Sequence, residues 1–546
     1  MRFVAVILIL WATLHSWFDG RPRLQLGGTV LIGRHLQHSN LDFFGGIPFA
    51  EPPVGHYRFS PPRPKHSLSP LRSFDAGSYG LPCLQPDCLT LNVFRPSGID
   101  VNSSLPVMVW IYGGGFYSGA SSIYDGAPLV EQSVARGTPI LYVSMNYRIA
   151  PLGFPQGPEA VERGALNLGL HDQWAALEWV QHNIASFGGD PRKVTVFGES
   201  AGALSTFYHY LNENFSTVAR AAIFQSGTSS TLPNFDGYRA TPSWMLFANN
   251  TQSCATASPD QTFPCLIAAD SSDLRASLTA AMAIELFPFR PVLDGPGGII
   301  SDLPARRLSN GAGGRVPFMA GAVLDEGTYF LPKDFQNKDI GIWLNANYTP
   351  SPLGPGGLKA GLDKVISLYP DDPSAGSPFN TGNETFGTGP GYKRGAAIIG
   401  DVMFQAPRRF LSQTTRAPSY AYLFTEPQPG ADPSLGVFHS SELPYFFGDL
   451  SKNGPSNTAW LSRVMLDYWI SFAVSLTPND GKGTNRPHWG EYEETEVWYN
   501  DLAFGETFNL VQRILELNSK TMGLIPDRYR AISMDVIINM RDMLSW

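Results

Sequence analysis

The chain has 546 residues, of which 43% are hydrophobic, 12% aromatic and 16% charged; that is ample material for a large core and too little charge for a disordered polymer. Its 39 Lys and Arg against 47 Asp and Glu give a net charge of -8. With no basic run to neutralise a phosphate backbone, nucleic acid is excluded as an expected partner.

At the start of the chain Arg2 precedes an apolar stretch over residues 3–14. Its length suits a signal-peptide core and falls short of the roughly 20 residues a membrane span needs. We expect an export signal over residues 1–20 and one folded domain over 21–546. The four cysteines form two close pairs, Cys83 with Cys88 and Cys254 with Cys265. With no neighbouring His ligands, this suits two local disulfides better than a metal site. Acceptor sequons at Asn102, Asn214, Asn249, Asn347 and Asn383 agree with an oxidising, glycosylating route out of the cell. The C-terminal residues Asp542 to Trp546 form neither a retention signal nor a hydrophobic anchor tail, so release without a stable membrane anchor is expected.

Apolar runs at residues 106–111, 139–144, 193–197, 221–225, 316–322 and 420–424 read as strands, several of them buried on both faces. Residues 170–187 lie between the second and third runs with apolar residues at helical spacing. Strand alternating with helix predicts an α/β fold, a mostly parallel central sheet flanked by helices in one domain with insertions. Functional groups then belong at the carboxyl ends of the strands. Gly and Pro crowd residues 350–395, where an irregular surface excursion is expected.

Two of these runs end in motifs that carry chemistry. After the third comes Gly198-Glu199-Ser200-Ala201-Gly202, followed by Ala203-Leu204-Ser205-Thr206-Phe207, which can continue as helix. This strand-turn-helix context is what a G-x-S-x-G nucleophile turn requires. The sharp turn strains the central residue, the flanking glycines remove colliding side chains, and Ser200 Oγ would project into a cleft. The first run leads through Tyr112 into Gly113-Gly114-Gly115-Phe116. Its glycines allow backbone amides close to a substrate oxygen, so Gly114 and Gly115 are expected to form an oxyanion hole with the amide of Ala201. No G-K-[ST] or G-x-G-x-x-G pattern follows, which argues against a phosphate-binding loop.

With these motifs in place, the chain resembles the type-B carboxylesterase and lipase family, which includes the cholinesterases. In pattern it is similar to secreted fungal members. The resemblance runs from about Gly27 to the C-terminal region and is carried by Phe44-Gly45-Gly46-Ile47-Pro48-Phe49-Ala50, Asp87-Cys88-Leu89-Thr90-Leu91-Asn92-Val93, Asn146-Tyr147-Arg148, Phe187-Gly188-Gly189-Asp190-Pro191 and Gln225-Ser226-Gly227. It implies the α/β-hydrolase fold and a serine carboxylic-ester hydrolase whose triad follows the order nucleophile, acid, histidine. Asp325-Glu326-Gly327-Thr328 resembles the acid segment, giving Glu326 the orienting role, and Asp325 is read as its bland neighbour. Gly436-Val437-Phe438-His439-Ser440-Ser441-Glu442-Leu443 resembles the histidine loop, making His439 the base; His171, His182 and His209 are read as surface or core residues. Two-step acyl transfer of this kind needs no metal or organic cofactor. Glu199 is a second carboxylate beside the site, with tuning of the local potential and a structural role equally open. The resemblance places Ser226 behind the triad, where it could bond the acid, and Phe287 and Phe289 in a segment that lines the acyl pocket of relatives, with ordinary packing equally open.

The chain departs from the family at one loop. In the family's lipases the disulfide loop after the cysteine matching Cys83 carries a mobile lid, and in cholinesterases it carries a choline-binding tryptophan. Here Leu84, Gln85, Pro86 and Asp87 alone separate Cys83 from Cys88. That is too short to cover a cleft and offers no aromatic ring for a cation. The expectation is an open-cleft esterase for soluble short- or medium-chain esters or for bulky natural-product esters. A lipase or sterol esterase is the alternative, and a non-catalytic adhesion protein is disfavoured by the intact triad.

Overall fold

The apolar runs fold into one large sheet whose strands are, in chain order, β1 (Arg34–Leu36), β2 (Leu41–Pro48), β3 (Thr90–Pro96), β4 (Leu105–Ile111), β5 (Leu141–Met145), β6 (Gly189–Glu199), β7 (Ala221–Gln225), β8 (Phe318–Val323), β9 (Ser419–Phe424), β10 (Arg513–Leu517) and β11 (Gly523–Pro526). The computed structural model describes residues 20–546 except 84–86, 229, 282–285, 314, 449, 493–498, 501–506 and 509–511. The expected export signal, Gly20 apart, therefore lies outside the described residues.

Across the sheet the order is β1-β2-β3-β5-β4-β6-β7-β8-β9-β10-β11. Pairing is parallel from β5 through β10 and antiparallel at both margins. Every residue of β7, β8 and β9 is buried, as expected of parallel strands covered on both faces by helices. Helices Ala127–Ala135, Leu168–Asn183 and Ala201–Tyr210 alternate with the central strands, so the α/β-hydrolase architecture read from the sequence is the one observed. The helix expected over 170–187 ends at Asn183, and its last turn tightens to a 3-10 turn, Ile184–Phe187, closed by Gly188 at φ 87°.

Two findings differ from the sequence reading. The irregular excursion expected over 350–395 contains a helix, Gly354–Ser367, that buries Leu358, Leu362 and Val365 at helical spacing. Its proline and three of its four glycines sit in the first turn, where a proline costs no hydrogen bond, and the fourth, Gly361, is buried against Met543. The margin strands β1, β2, β3, β10 and β11 were not anticipated: β2 carries a glycine pair at a register shift between Phe44 and Ile47, and β10 carries Arg513 and Glu516 in a run of five.

Cys83 is bonded to Cys88 and Cys254 to Cys265, with no free cysteine among the described residues. Asn102, Asn214, Asn249 and Asn383 are exposed, whereas Asn347 is half-buried and its Nδ2 donates to the Trp343 carbonyl at 2.9 Å. Among the described residues no helix is long and apolar enough to cross a membrane.

Candidate active site

Strand β6 ends at Glu199 and the helix Ala201–Tyr210 starts two residues later, leaving Ser200 alone in the turn at φ 53° and ψ -125°. A non-glycine residue pays for this conformation unless its surroundings dictate it. They do: a Cβ on Gly198 would stand 2.5 Å from the carbonyl carbon of Gly202, and one on Gly202 would stand 1.9 Å from the Ile111 carbonyl oxygen. The Ser200 amide donates to the Gln225 carbonyl at 2.9 Å. The tight crossing of β6, β4 and the helix is possible only with glycine at both flanks.

The glycine loop after β4 lies directly against this turn. A Cβ on Gly113 would meet the Glu199 carbonyl at 2.7 Å and Ser200 Cβ at 3.0 Å. Gly114 and Gly115 have φ of 99° and 61°, in the region that glycine adopts without strain. Ala201, directly after Ser200, is the first residue of the helix.

Chain segments far apart in sequence deliver the remaining groups. His439 Nε2 lies 2.9 Å from Ser200 Oγ, and His439 Nδ1 lies 2.6 Å from Glu326 Oε2. In a neutral imidazole, a proton on Nδ1 would face Glu326 and leave Nε2 as the acceptor toward Ser200 Oγ. The other carboxylate oxygen of Glu326 accepts from the Val323 amide at 3.0 Å. Asp325 is more than a neighbour: buried, it accepts from Ser377 Oγ at 2.7 Å, the Phe379 amide at 2.8 Å and the Val437 amide at 2.9 Å, and so ties the histidine loop to the acid segment.

Three buried carboxylates surround the imidazole. Glu199 Oε1 lies 3.3 Å from His439 Nε2 and accepts from Ser440 Oγ at 2.5 Å. Glu442 is fully buried, and neither of its carboxylate oxygens has a hydrogen-bond partner among the described residues. Burial raises the affinity of Glu199 and of Glu442 for a proton, and for Glu442 the nearby anions Glu199 and Glu326 add to the rise. Burial alone would lower the pKa of His439, but the charges of Glu199 and Glu326 outweigh it and carry the imidazole up to about 9.

Aromatic rings complete the site. Phe404 and Phe330 lie 4.9 and 5.1 Å from the imidazole, Phe287 lies 6.2 Å from Phe330, and Tyr117 lies 6.1 Å from Phe287. Phe287 and Phe289 therefore part company. Phe287 stands over Gly115, whose Cβ would meet its ring at 2.6 Å, whereas Phe289 is buried against Phe247. Ser226 sits at φ 49° with its amide on the Gly321 carbonyl, but its hydroxyl has no partner among the described residues and does not bond the acid. His209 and His182 bond Gln173 Oε1 and the Glu178 carbonyl. Sequence reasoning missed Asp325, Phe330, Phe404, Ser440 and Glu442 as parts of the site.

A sequence profile described as the carboxylesterase family matches residues 22–520. Lipase 2 of Geotrichum candidum is 36% identical over 530 residues, covering 87% of this chain and 90% of that protein. Secreted lipase 1 of Botryotinia fuckeliana is 31% identical over 553 residues, covering 92% and 90%. The crystal structure of Aspergillus niger EstA aligns with a TM-score of 0.80 at 24% identity, covering 97% of this chain and 100% of that one. This last likeness speaks for the fold.

Proposed function

This chain belongs to the carboxylesterase family and is a carboxylic-ester hydrolase; from that premise we propose that Ser200, His439 and Glu326 perform the reaction. The observation that carries the proposal is the unbroken hydrogen-bond path from Glu326 Oε2 through His439 to Ser200 Oγ. Ser200 attacks the ester carbonyl while His439 takes its proton. The charge that develops on the carbonyl oxygen is met by the amides of Gly114, Gly115 and Ala201. His439 then protonates the departing alcohol, and a water activated by the same imidazole releases the acid from the acyl-enzyme. Glu326 holds the tautomer and stabilises the imidazolium.

For substrate, the short Cys83 to Cys88 connection supports an open cleft and so soluble esters of short or medium acyl chains, or bulky natural-product esters. The likeness to fungal lipases favours a second reading, lipid esters. A residue 1–20 export signal, two disulfides and the exposed sequons support a secreted glycoprotein with a single catalytic domain over 21–546. Treating purified protein with an organophosphonate and mapping the adduct tests the nucleophile; a stoichiometric adduct elsewhere, or undiminished turnover in Ser200→Ala, removes it. A series of esters from acetyl to long-chain emulsified triglyceride decides the substrate, because rates that rise toward the emulsion favour the lipid reading.

A further inference from the structure

The helical stretch behind the triad changes character at the point where it meets the site. Tyr392–Gly400 and Ala406–Thr414 are α-helical, and between them Asp401–Gln405 form a π-helical turn, in which the Ala406 amide donates to the Asp401 carbonyl five residues back. Such a turn inserts one residue into the helix, packs less well than α-helix, and recurs at functional sites. It therefore persists where side-chain contacts hold it.

Here it is held at both ends. The buried Asp401 accepts from Tyr369 OH at 2.7 Å and from Nε and Nη2 of Arg530, each at 2.6 Å. The buried Gln405 accepts from Tyr529 OH and donates through Nε2 to the Val323 carbonyl at 2.8 Å. Two consecutive residues of the turn reach the two halves of the histidine–acid pair. The Phe404 ring lies 4.9 Å from the imidazole of His439 and 5.6 Å from the stacked ring of Phe330. Gln405 grips the residue whose own amide donates to Glu326 Oε1 at 3.0 Å. A continuous path thus runs from Tyr529 through Gln405, the backbone of Val323, Glu326 and His439 to Ser200. Removing the inserted residue would turn the following side chains by about 100° around the helix axis, and neither contact would survive.

We infer that Phe404 and Gln405 are positioning residues, aimed by the clamped π turn: Phe404 fixes the plane of the His439 ring, and Gln405 fixes the height of the Glu326 carboxylate through Val323. The inference rests on the reading of Ser200, His439 and Glu326 as the reacting set. Misplacing such groups by about 1 Å costs on the order of 100-fold in rate, so the loss belongs in kcat.

The test uses the full-length protein with Phe404→Leu, which keeps an apolar side chain, and Gln405→Met, which keeps the side chain's length while removing its amide. Measured quantities are kcat and KM for acetyl, butyryl and octanoyl esters, the pH profile of kcat/KM, the rate of phosphonylation, the downfield proton resonance of the His439–Glu326 bond, and the thermal midpoint. The expected result is a kcat about 10- to 100-fold lower for all three esters, KM within about threefold, slower phosphonylation at Ser200, and a shifted or broadened downfield resonance. An unchanged kcat overturns the inference. So does an effect on one chain length alone, which would make Phe404 a wall of the substrate pocket, or a loss that follows the thermal midpoint while resonance and pH profile stay as in the wild type. If the phosphonate fails to label Ser200 in the wild type, the triad reading falls first and this inference with it.

Discussion

Glu199 Oε1 approaches His439 Nε2 to 3.3 Å, at the same nitrogen that Ser200 Oγ reaches at 2.9 Å. The imidazole therefore meets a carboxylate and a hydroxyl at one edge. The anion favours the protonated ring and holds the His439 proton up to about 9, whereas the proposed mechanism needs that ring neutral to accept the Ser200 proton. Glu199→Gln removes that charge and keeps an oxygen for Ser440. The His439 pKa then falls, and because activity is lost as pH drops through that pKa, the acid limb of kcat/KM moves to lower pH. Each unit of movement corresponds to about 1.4 kcal/mol less stabilisation of the imidazolium. A profile unchanged for a soluble acetyl ester would show that Glu199 does not act on His439.

Gly114 bears a backbone demand that no other residue meets. At φ 99° it lies where L side chains are strained, and an added Cβ would stand 2.5 Å from the Ser118 carbonyl oxygen. Gly114→Ala is expected to swing the loop and withdraw an amide from the developing oxyanion, lowering kcat by about 100- to 1,000-fold with little change in KM. Steady-state kinetics and a preserved circular dichroism spectrum check it, and a kcat within fivefold of wild type would place the oxyanion hole elsewhere.

Phe287 covers Gly115 and belongs to the ring series that leads to His439. If acyl groups lie along these rings, Phe287→Ala opens room beside the oxyanion loop. The ratio of kcat/KM for octanoyl over acetyl esters should then rise by about 10-fold or more, since each methylene accommodated is worth about 1–3 kcal/mol. An unchanged ratio would move the acyl group to another wall.

How much of this was legible depended on what kind of constraint fixed each residue. Ser200, Gly114 and Gly115 answer to backbone geometry, and geometry of that kind selects glycine and so marks the sequence locally. His439 stands 239 residues from Ser200 and is joined to it by folding alone, so only the likeness of its loop to a known family singled it out. Ser226 shows the opposite failure: its place behind the triad suggested a bond to the acid, yet its hydroxyl is not on the acid in the fold. Phe404 and Gln405 left no trace because their π turn is imposed from outside the segment by Arg530, Tyr369 and Tyr529. The strand β10 was hidden by its own charges, with Glu516 receiving hydrogen bonds from Thr425 and Thr521.

A buried ionic cluster ties the segment after β11 to the helix Ala406–Thr414 and is expected to contribute to acid stability. Asp527 has a fully buried side chain and accepts from Arg408 Nη1 at 2.7 Å, Arg408 Nη2 and Arg409 Nη2 at 2.9 Å, and Tyr492 OH at 2.8 Å. Burial alone would raise its pKa, but Arg408 and Arg409 outweigh burial and hold it well below the usual carboxylate range. A depressed folded-state pKa contributes stability that is fully present above the unfolded value, roughly 3.9, and is lost as pH falls from there toward the folded value. Asp527→Asn leaves two buried guanidinium groups without their counter-charge, an expected cost of about 3–5 kcal/mol near neutral pH. Below pH 4 the wild type forfeits part of the same contribution, so the difference between the two proteins should narrow. Thermal midpoints measured from pH 7 down to pH 3 check this. Equal midpoints at pH 7, or a gap that widens on acidification, would mean that the cluster contributes no net ionic stability.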